Sequence, residues 1–249
     1  KNQSNEYLAK EFQQNLYKTF LPDILETVIS SAFAIKGKLV GVQVGANDGL
    51  FLDPVFELFH KYFDKIILVE PLKELIPKLQ KNYSNFKGEL FIENVAISNE
   101  VDNLTLYKPN AVLENIFIEK VFHRDTTIFT SFNKNHVVDH ITRRLGLDSD
   151  FVSSNIDSFP VPACTVELLL KKHNIENVDF VQIDCEGYDF EVIKSLGKQR
   201  PALINFEWKW FSQEVWSDWI KWANDNNYGF IQQRLDCMAI RHSNYNILF

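Results

Sequence analysis

Lys38-Leu39-Val40-Gly41-Val42-Gln43-Val44-Gly45-Ala46-Asn47-Asp48-Gly49 runs from a short apolar, β-branched stretch directly into a glycine loop. A mostly apolar run up to Val44, broken by Gln43, is the pattern of a strand covered on both faces, and the loop predicts a tight turn at its carboxyl end. Asp53-Pro54 then predicts a helix start: the carboxylate can cap free backbone N–H groups, and proline has none to satisfy. Val55, Leu58, Phe59 and Tyr62 follow at helical spacing. A helix at this point argues against the ordinary hairpin that Asp48-Gly49 alone would signal.

The rhythm continues outward. Lys65 to Val69 reads as strand, Leu72 to Asn82 as helix and Leu90 to Glu93 as strand. Val178 to Ile183 and Ala202 to Phe206 supply two more strands, with a helix from about Phe190 to Leu196 between them. This alternation predicts an α/β fold with a mostly parallel sheet and helices on both faces. Upstream, Glu6 to Phe20 and Pro22 to Phe33 read as two helical pieces, a lid or brace over residues 1–35, with Leu25, Val28 and Ile29 on one face. Residues 36–249 are then the main domain. Within it, about 104–164 is less regular: a strand at Leu104 to Tyr107, a helical piece from Asn133 to Leu145, and polar connections. It reads as an insertion over the carboxyl edge of the sheet.

Composition bounds the partners. The 249 residues are 45 % hydrophobic and 24 % charged, which excludes wholesale disorder. A net charge of −7, with 33 Asp and Glu against 26 Lys and Arg, weighs against nucleic acid and favours a small molecule. Cys164, Cys185 and Cys237 stand far apart, offering neither a zinc knuckle nor a disulfide framework, so a cytoplasmic setting is the expectation. No apolar run approaches the ~20 residues of a membrane span. The chain starts at Lys1, so targeting is not read from this terminus.

In open parallel sheets, ligands bind beyond the carboxyl ends of the strands. The loop from Gly45 to Gly49 lacks the G-x-G-x-x-G spacing of a dinucleotide site and the Lys-Ser/Thr of a P-loop. It offers close backbone approach plus an acidic side chain, which suits a ligand with an amino acid end and a positive charge. Glu70, at the end of the second strand, follows Gly49 by 21 residues. That is close to the ~20-residue offset at which a carboxylate accepts a hydrogen bond from a ribose hydroxyl, so a nucleoside ligand is expected. Asn94-Val95-Ala96 and Asp184-Cys185-Glu186-Gly187 end two further strands at the same edge.

From about Leu39 to Trp208 the chain resembles the FkbM-type S-adenosylmethionine-dependent methyltransferases. The resemblance rests on Val44 to Gly49, Val69-Glu70-Pro71, Asn94-Val95-Ala96 and Ile183-Asp184-Cys185-Glu186-Gly187-Tyr188. It implies a Rossmann-like class I methyltransferase fold, S-adenosyl-L-methionine as cofactor, and O-methylation of a small, sugar-containing acceptor. It also implies cofactor contacts at Gln43, Gly45, Ala46, Asn47, Asp48, Gly49, Glu70, Pro71, Asn94, Val95, Ala96 and Asp184. Asp184 and Glu186 would stand near the sulfonium or the acceptor; a second reading makes them caps of the helix beginning near Asp189.

His136-Val137-Val138-Asp139-His140 approximates a zinc-hydrolase pattern with aspartate for glutamate, but no third ligand is evident, and no metal is expected. The two histidines read either as a solvated helix face or, with Ser131 just before them, as substrate-facing groups. Their imidazoles suit a general base, leaving Asp184 or Glu186 to orient the donor. Trp216, Trp219 and Trp222 form a stripe that reads as core, the alternative being a sugar-stacking platform, whereas at least one of Glu207 and Trp208 should face the cleft. Cys185 reads as packing. The alternative to an enzyme is a nucleoside-binding module without turnover; a nicotinamide dehydrogenase is disfavoured by the missing middle glycine.

Overall fold

A computed structural model describes residues 24–99, 103–121 and 126–242. The helix expected over Glu6 to Phe20, and Pro22, lie outside them. In chain order the elements are α1 (Ile24–Lys36), β1 (Leu39–Val44), α2 (Phe56–Tyr62), β2 (Phe63–Val69), α3 (Ile76–Asn82), β3 (Glu89–Glu93) and β4 (Ala96–Ile97). Then come β5 (Asn103–Pro109), α4 (Ala111–Val121), α5 (Lys134–Leu145), α6 (Ser149–Ser154), β6 (Ile156–Cys164), α7 (Val166–Lys172), β7 (Phe180–Ile183) and α8 (Asp189–Lys194). The chain continues with β8 (Leu203–Glu207), α9 (Gln213–Asp225), β9 (Tyr228–Gln233) and β10 (Asp236–Arg241).

Seven strands form one sheet in the order β3-β2-β1-β7-β8-β10-β9. The first five are parallel, and β10 runs antiparallel to both β8 and β9. Burial explains the apolar runs: all residues of β7 and β8 are buried, and β1 has one half-buried position, Val40. One face packs Val42, Val44, Ile67, Ile183 and Phe206 under α7, α8 and α9, with Trp219 fully buried. The other face packs Ile66, Leu68 and Phe180 under α1, α2 and α3. Each large apolar side chain enclosed this way contributes roughly 1.5–3 kcal/mol. α1 buries Leu25, Val28 and Ile29 in that second layer, and Lys36 at its end reaches Asp179 at 2.6 Å.

Several boundaries move for local reasons. Asp53 does cap, its Oδ1 accepting from the N–H groups of Val55 and Phe56, but α2 begins at Phe56. The helix expected from Leu72 opens as a 3₁₀ turn, Lys73–Leu75, before α3. The C-terminal hairpin β9–β10, the nine-residue strand β6, helices α4, α6 and α7, and the two-residue β4 were not expected. The hairpin reading of Asp48-Gly49 fails because β1 and β2 are parallel.

Register fixes what meets at the carboxyl edge. Val44 lies beside Val69 and Ile183, Val69 beside Glu93, and Ile183 beside Phe206. Gly45, Glu70, Asn94, Asp184 and Glu207 therefore leave the sheet side by side. Over this edge sits the inserted segment, where β5 and β6 pair in a three-stranded sheet with β4. Its own core comprises Leu113, Phe117, Phe129, Val137, Val138, Ile141, Leu145 and Val152.

Candidate active site

Between sheet edge and insertion lies a cavity of about 740 Å³. Its floor is Gln43 to Asn47, Glu70, Pro71, Val95 and Ala96, and its far wall is Asp184 to Glu186, Glu207 and Lys209. The insertion closes it with Phe117, Thr127 to Phe132, His140 and Arg144.

The floor depends on a glycine. Gly45 has φ +81°, and a Cβ on it would fall 1.9 Å from the carbonyl oxygen of Asp184. Only a residue without a side chain lets the two loops come this close. The N–H groups of Gly45 and Ala46 both donate to the Val69 carbonyl at 3.0 Å, tying loop to strand. Glu70 completes the clamp: one carboxylate oxygen accepts from Asn47 N–H and the other from Leu72 N–H, each at 2.8 Å. It is 5 % exposed. Burial raises its carboxyl to about 7, against the pull of those two N–H groups.

Three expected cofactor residues stand off the cavity. Asp48 turns its Oδ1 to the N–H groups of Leu50 and Phe51. Gly49, at φ +71°, packs where a Cβ would lie 2.4 Å from Leu79 Cδ1. Asn94 donates to the Glu70 and Pro71 carbonyls, holding the end of β2. All three shape the site from behind.

The far wall is acidic. Asp184 is open to the cavity, yet the enclosing protein sheds much of the water around it. Burial first, then Glu186, Glu207 and Asp189, hold its carboxyl well above the usual range. Burial also raises Glu207, against Lys209, which pairs with it. Beneath them Asp189, fully buried, accepts from Glu207 N–H and is raised to about 7 by burial and by Glu207. The capping reading of Asp184 and Glu186 fails, since no side chain caps α8. Glu186 instead sits at φ 45° with its carbonyl accepting from Ser131 Oγ at 2.9 Å, a left-handed position of the kind that gathers at functional sites. Cys185 borders the cavity, its thiol raised well above normal by burial, which suits packing and not nucleophilic attack.

The insertion supplies the opposite wall. Asn133 caps α5 by accepting from Asn135 and His136 N–H groups, and Gly146 ends it in the left-handed region. Val137, Val138, Ile141 and Leu145 bury one stripe, which turns His140 to the cavity and leaves His136 behind it, 3.5 Å from Glu186. Burial lowers His140 despite Glu186 beside it. Trp210 meets both rings, at 4.4 Å from His136 and 5.1 Å from His140. Among the described residues, two sets of three place ligand atoms within 4.8 Å of one another: His136, His140 and Glu186, and Asp184, Glu186 and Glu207.

Of Glu207 and Trp208, the glutamate faces the cavity and the indole packs on Trp216, 5.4 Å away. The sequence reading missed Lys209 and Arg144, although Lys209 lies two residues past a strand end and Arg144 one helical turn past His140. Phe117 and Thr127 carried no signal.

Several solved structures are similar to this chain at low identity. The FkbM methyltransferase of Methylobacillus flagellatus is 11 % identical over 82 % of this chain, with a TM-score of 0.48, and this chain spans 43 % of its length. TrmK of M. capricolum, solved with S-adenosylhomocysteine, is 11 % identical, covering 88 % of this chain and 67 % of its own, with a TM-score of 0.39. The Bacillus cereus O-methyltransferase, also solved with that product, is 9 % identical over 95 % of this chain and 90 % of its own, with a TM-score of 0.40. No curated protein matches. The Methyltransferase FkbM domain matches residues 43–232, most of the chain and every strand end that builds the cavity, so the protein belongs to the FkbM methyltransferase family, whose members use S-adenosylmethionine.

Proposed function

We propose that the protein binds S-adenosyl-L-methionine in this cavity and methylates a hydroxyl oxygen of a small, sugar-containing metabolite. The observation that carries the reading is the convergence of the Gly45 loop, Glu70 and Asp184 on one cavity from three adjacent parallel strands.

The residues fit a nucleoside with an amino acid end. Each Glu70 oxygen holds one backbone N–H and keeps a lone pair for a ribose hydroxyl. Gln43 Oε1 is buried without a partner at the cavity floor, an acceptor awaiting a donor. Asn47 to Gly45 give backbone approach to the methionine portion, and Val95 and Ala96 a small apolar contact for the base. Bound there, the cofactor supplies a methyl group activated by sulfonium charge.

The chain's own residues do the rest. Asp184 and Glu186 place negative charge at the donor end, where a sulfonium gains from it. His140 faces the acceptor with Ser131 and Glu207, while His136 supports it from behind. The acceptor proton passes to Asp184, the carboxylate most open to the cavity, and the walls align oxygen and methyl for in-line attack. Phe129 and Phe132 beside Thr127, Thr130 and Arg144 give the mixed apolar and hydrogen-bonding lining that a sugar ring uses. In this reading residues 36–249 are the transferase domain and about 104–164 its acceptor cap. Calorimetric titration with S-adenosylhomocysteine tests the donor half: saturable binding supports it, and no heat at millimolar ligand overturns it.

A further inference from the structure

We propose that His136, His140 and Glu186 form a binding site for a divalent transition-metal ion, of the zinc or cobalt kind, at the acceptor end of the cavity. Sequence alone supplies two histidines one helical turn apart and no third ligand. The fold brings Glu186, from the β7–α8 connection, into the gap between them.

Three observations meet here. One ligand atom from each residue lies within 4.8 Å of the others, and His136 Nε2 is 3.5 Å from Glu186 Oε2. His136 Nε2, His140 Nδ1 and Glu186 Oε2 are all buried without a hydrogen-bond partner. Buried polar atoms are ordinarily satisfied, and an orphan on each of three neighbouring residues whose ligand atoms converge asks for a shared partner. An ion pair between His136 and Glu186 would leave the His140 nitrogen unexplained. The frame is also rigid: α5 is capped at both ends, and Glu186 is held at φ 45° with Ser131 on its carbonyl. Trp210 supplies an apolar shell against both imidazoles.

The donor set selects the ion. Two imidazoles and one carboxylate suit zinc and its neighbours better than magnesium, and three protein ligands leave a position open. That position faces the cavity, because His140 and Glu186 line it. Asp184, Glu186 and Glu207 form the adjoining set, in which Lys209 already pairs with Glu207, so the cation site rests on His136, His140 and Glu186.

The ion's role, though not its binding, rests on the proposed methyl transfer. An acceptor hydroxyl in the open position becomes more acidic. Its proton moves to Asp184, its oxygen forms the new bond to the methyl carbon, and the electron pair of the broken carbon–sulfur bond stays on sulfur, leaving a neutral thioether.

The test uses the full chain stripped by chelator, without methyl donor, titrated with Co²⁺ and followed by visible absorption and calorimetry. One equivalent should bind with ligand-field bands. His140→Gln and Glu186→Gln should each weaken binding at least about tenfold, the lower end for disturbing a metal's support. Both variants should keep parental circular dichroism, and His140→Gln, which lies on the acceptor side, should keep parental S-adenosylhomocysteine affinity. Absence of bands in the parent, or equal Co²⁺ affinity in parent and both variants, overturns the site. If Co²⁺ binds as described but no methyl is transferred, the metal site stands and the transferase reading falls. Methyl transfer at full rate by chelator-stripped protein that shows no Co²⁺ bands sinks the metal site alone.

Discussion

Replacing Glu70 by alanine separates stability from binding. The parent carboxylate accepts from Asn47 and Leu72 N–H groups at 2.8 Å each, in a site 5 % exposed. Orphaning a buried donor costs roughly 1–3 kcal/mol, so the two lost bonds should destabilise the fold by about 2–6 kcal/mol near pH 5. The deficit must shrink as pH rises. Because burial raises the folded carboxyl from 4.5 to about 7, the folded parent binds the proton more tightly than its unfolded chain. Parent stability therefore falls between these values, by at most about 3.4 kcal/mol at ~1.36 kcal/mol per pH unit, and alanine escapes that loss. Affinity for S-adenosylhomocysteine at pH 8 should fall about 10- to 150-fold, the equivalent of the ~1.5–3 kcal/mol of a hydrogen bond to a charged group. Urea unfolding at pH 5.5 and 8, with calorimetry at pH 8, reads both. A deficit independent of pH would refute the electrostatic argument, and affinity within twofold of parent would refute the ribose assignment.

Gly45→Ala should lose roughly 2–5 kcal/mol in urea unfolding, because alanine dislikes φ +81° and its Cβ meets the Asp184 carbonyl at 1.9 Å; parental stability would show that the loops part freely. Asp189→Asn keeps an acceptor for Glu207 N–H but removes a carboxyl raised from 3.8 to about 7. The parent's stability falls as pH climbs through that interval, so the variant should gain on it by up to about 4 kcal/mol at pH 8, and identical pH profiles would contradict this. His136→Ala and His140→Ala should lower turnover while sparing cofactor affinity, and Asp184→Ala should damage both. Turnover within about twofold of parent in both histidine variants, far less than loss of a metal ligand brings, would remove α5 from the chemistry.

The central strands were legible because burial on both faces leaves little room for polar residues, as in Phe180 to Ile183 and Leu203 to Phe206. The hairpin β9–β10 was not. β9 is an edge strand with exposed Ile231 and Gln232, and its turn uses Arg234 at φ 56° where glycine or asparagine would have announced it. Strand-end residues such as Glu70, Asp184 and Glu207 could be placed because parallel register aligns strand ends. Glu70's grip on the Asn47 N–H was invisible, since it depends on how the loop folds back. The meeting of His140 with Glu186, 46 residues later, likewise exists only once the insertion closes over the sheet.

Incubation of the full chain with methyl-labelled S-adenosylmethionine and a pool of small glycosidic metabolites, read by mass spectrometry, tests the central claim most directly. The account predicts label on a hydroxyl oxygen of an acceptor, stoichiometric formation of S-adenosylhomocysteine, and loss of both in Asp184→Ala. Tight binding of the cofactor with no label in any acceptor, with or without added Co²⁺ or Zn²⁺, would contradict it and leave a nucleoside-binding module in its place.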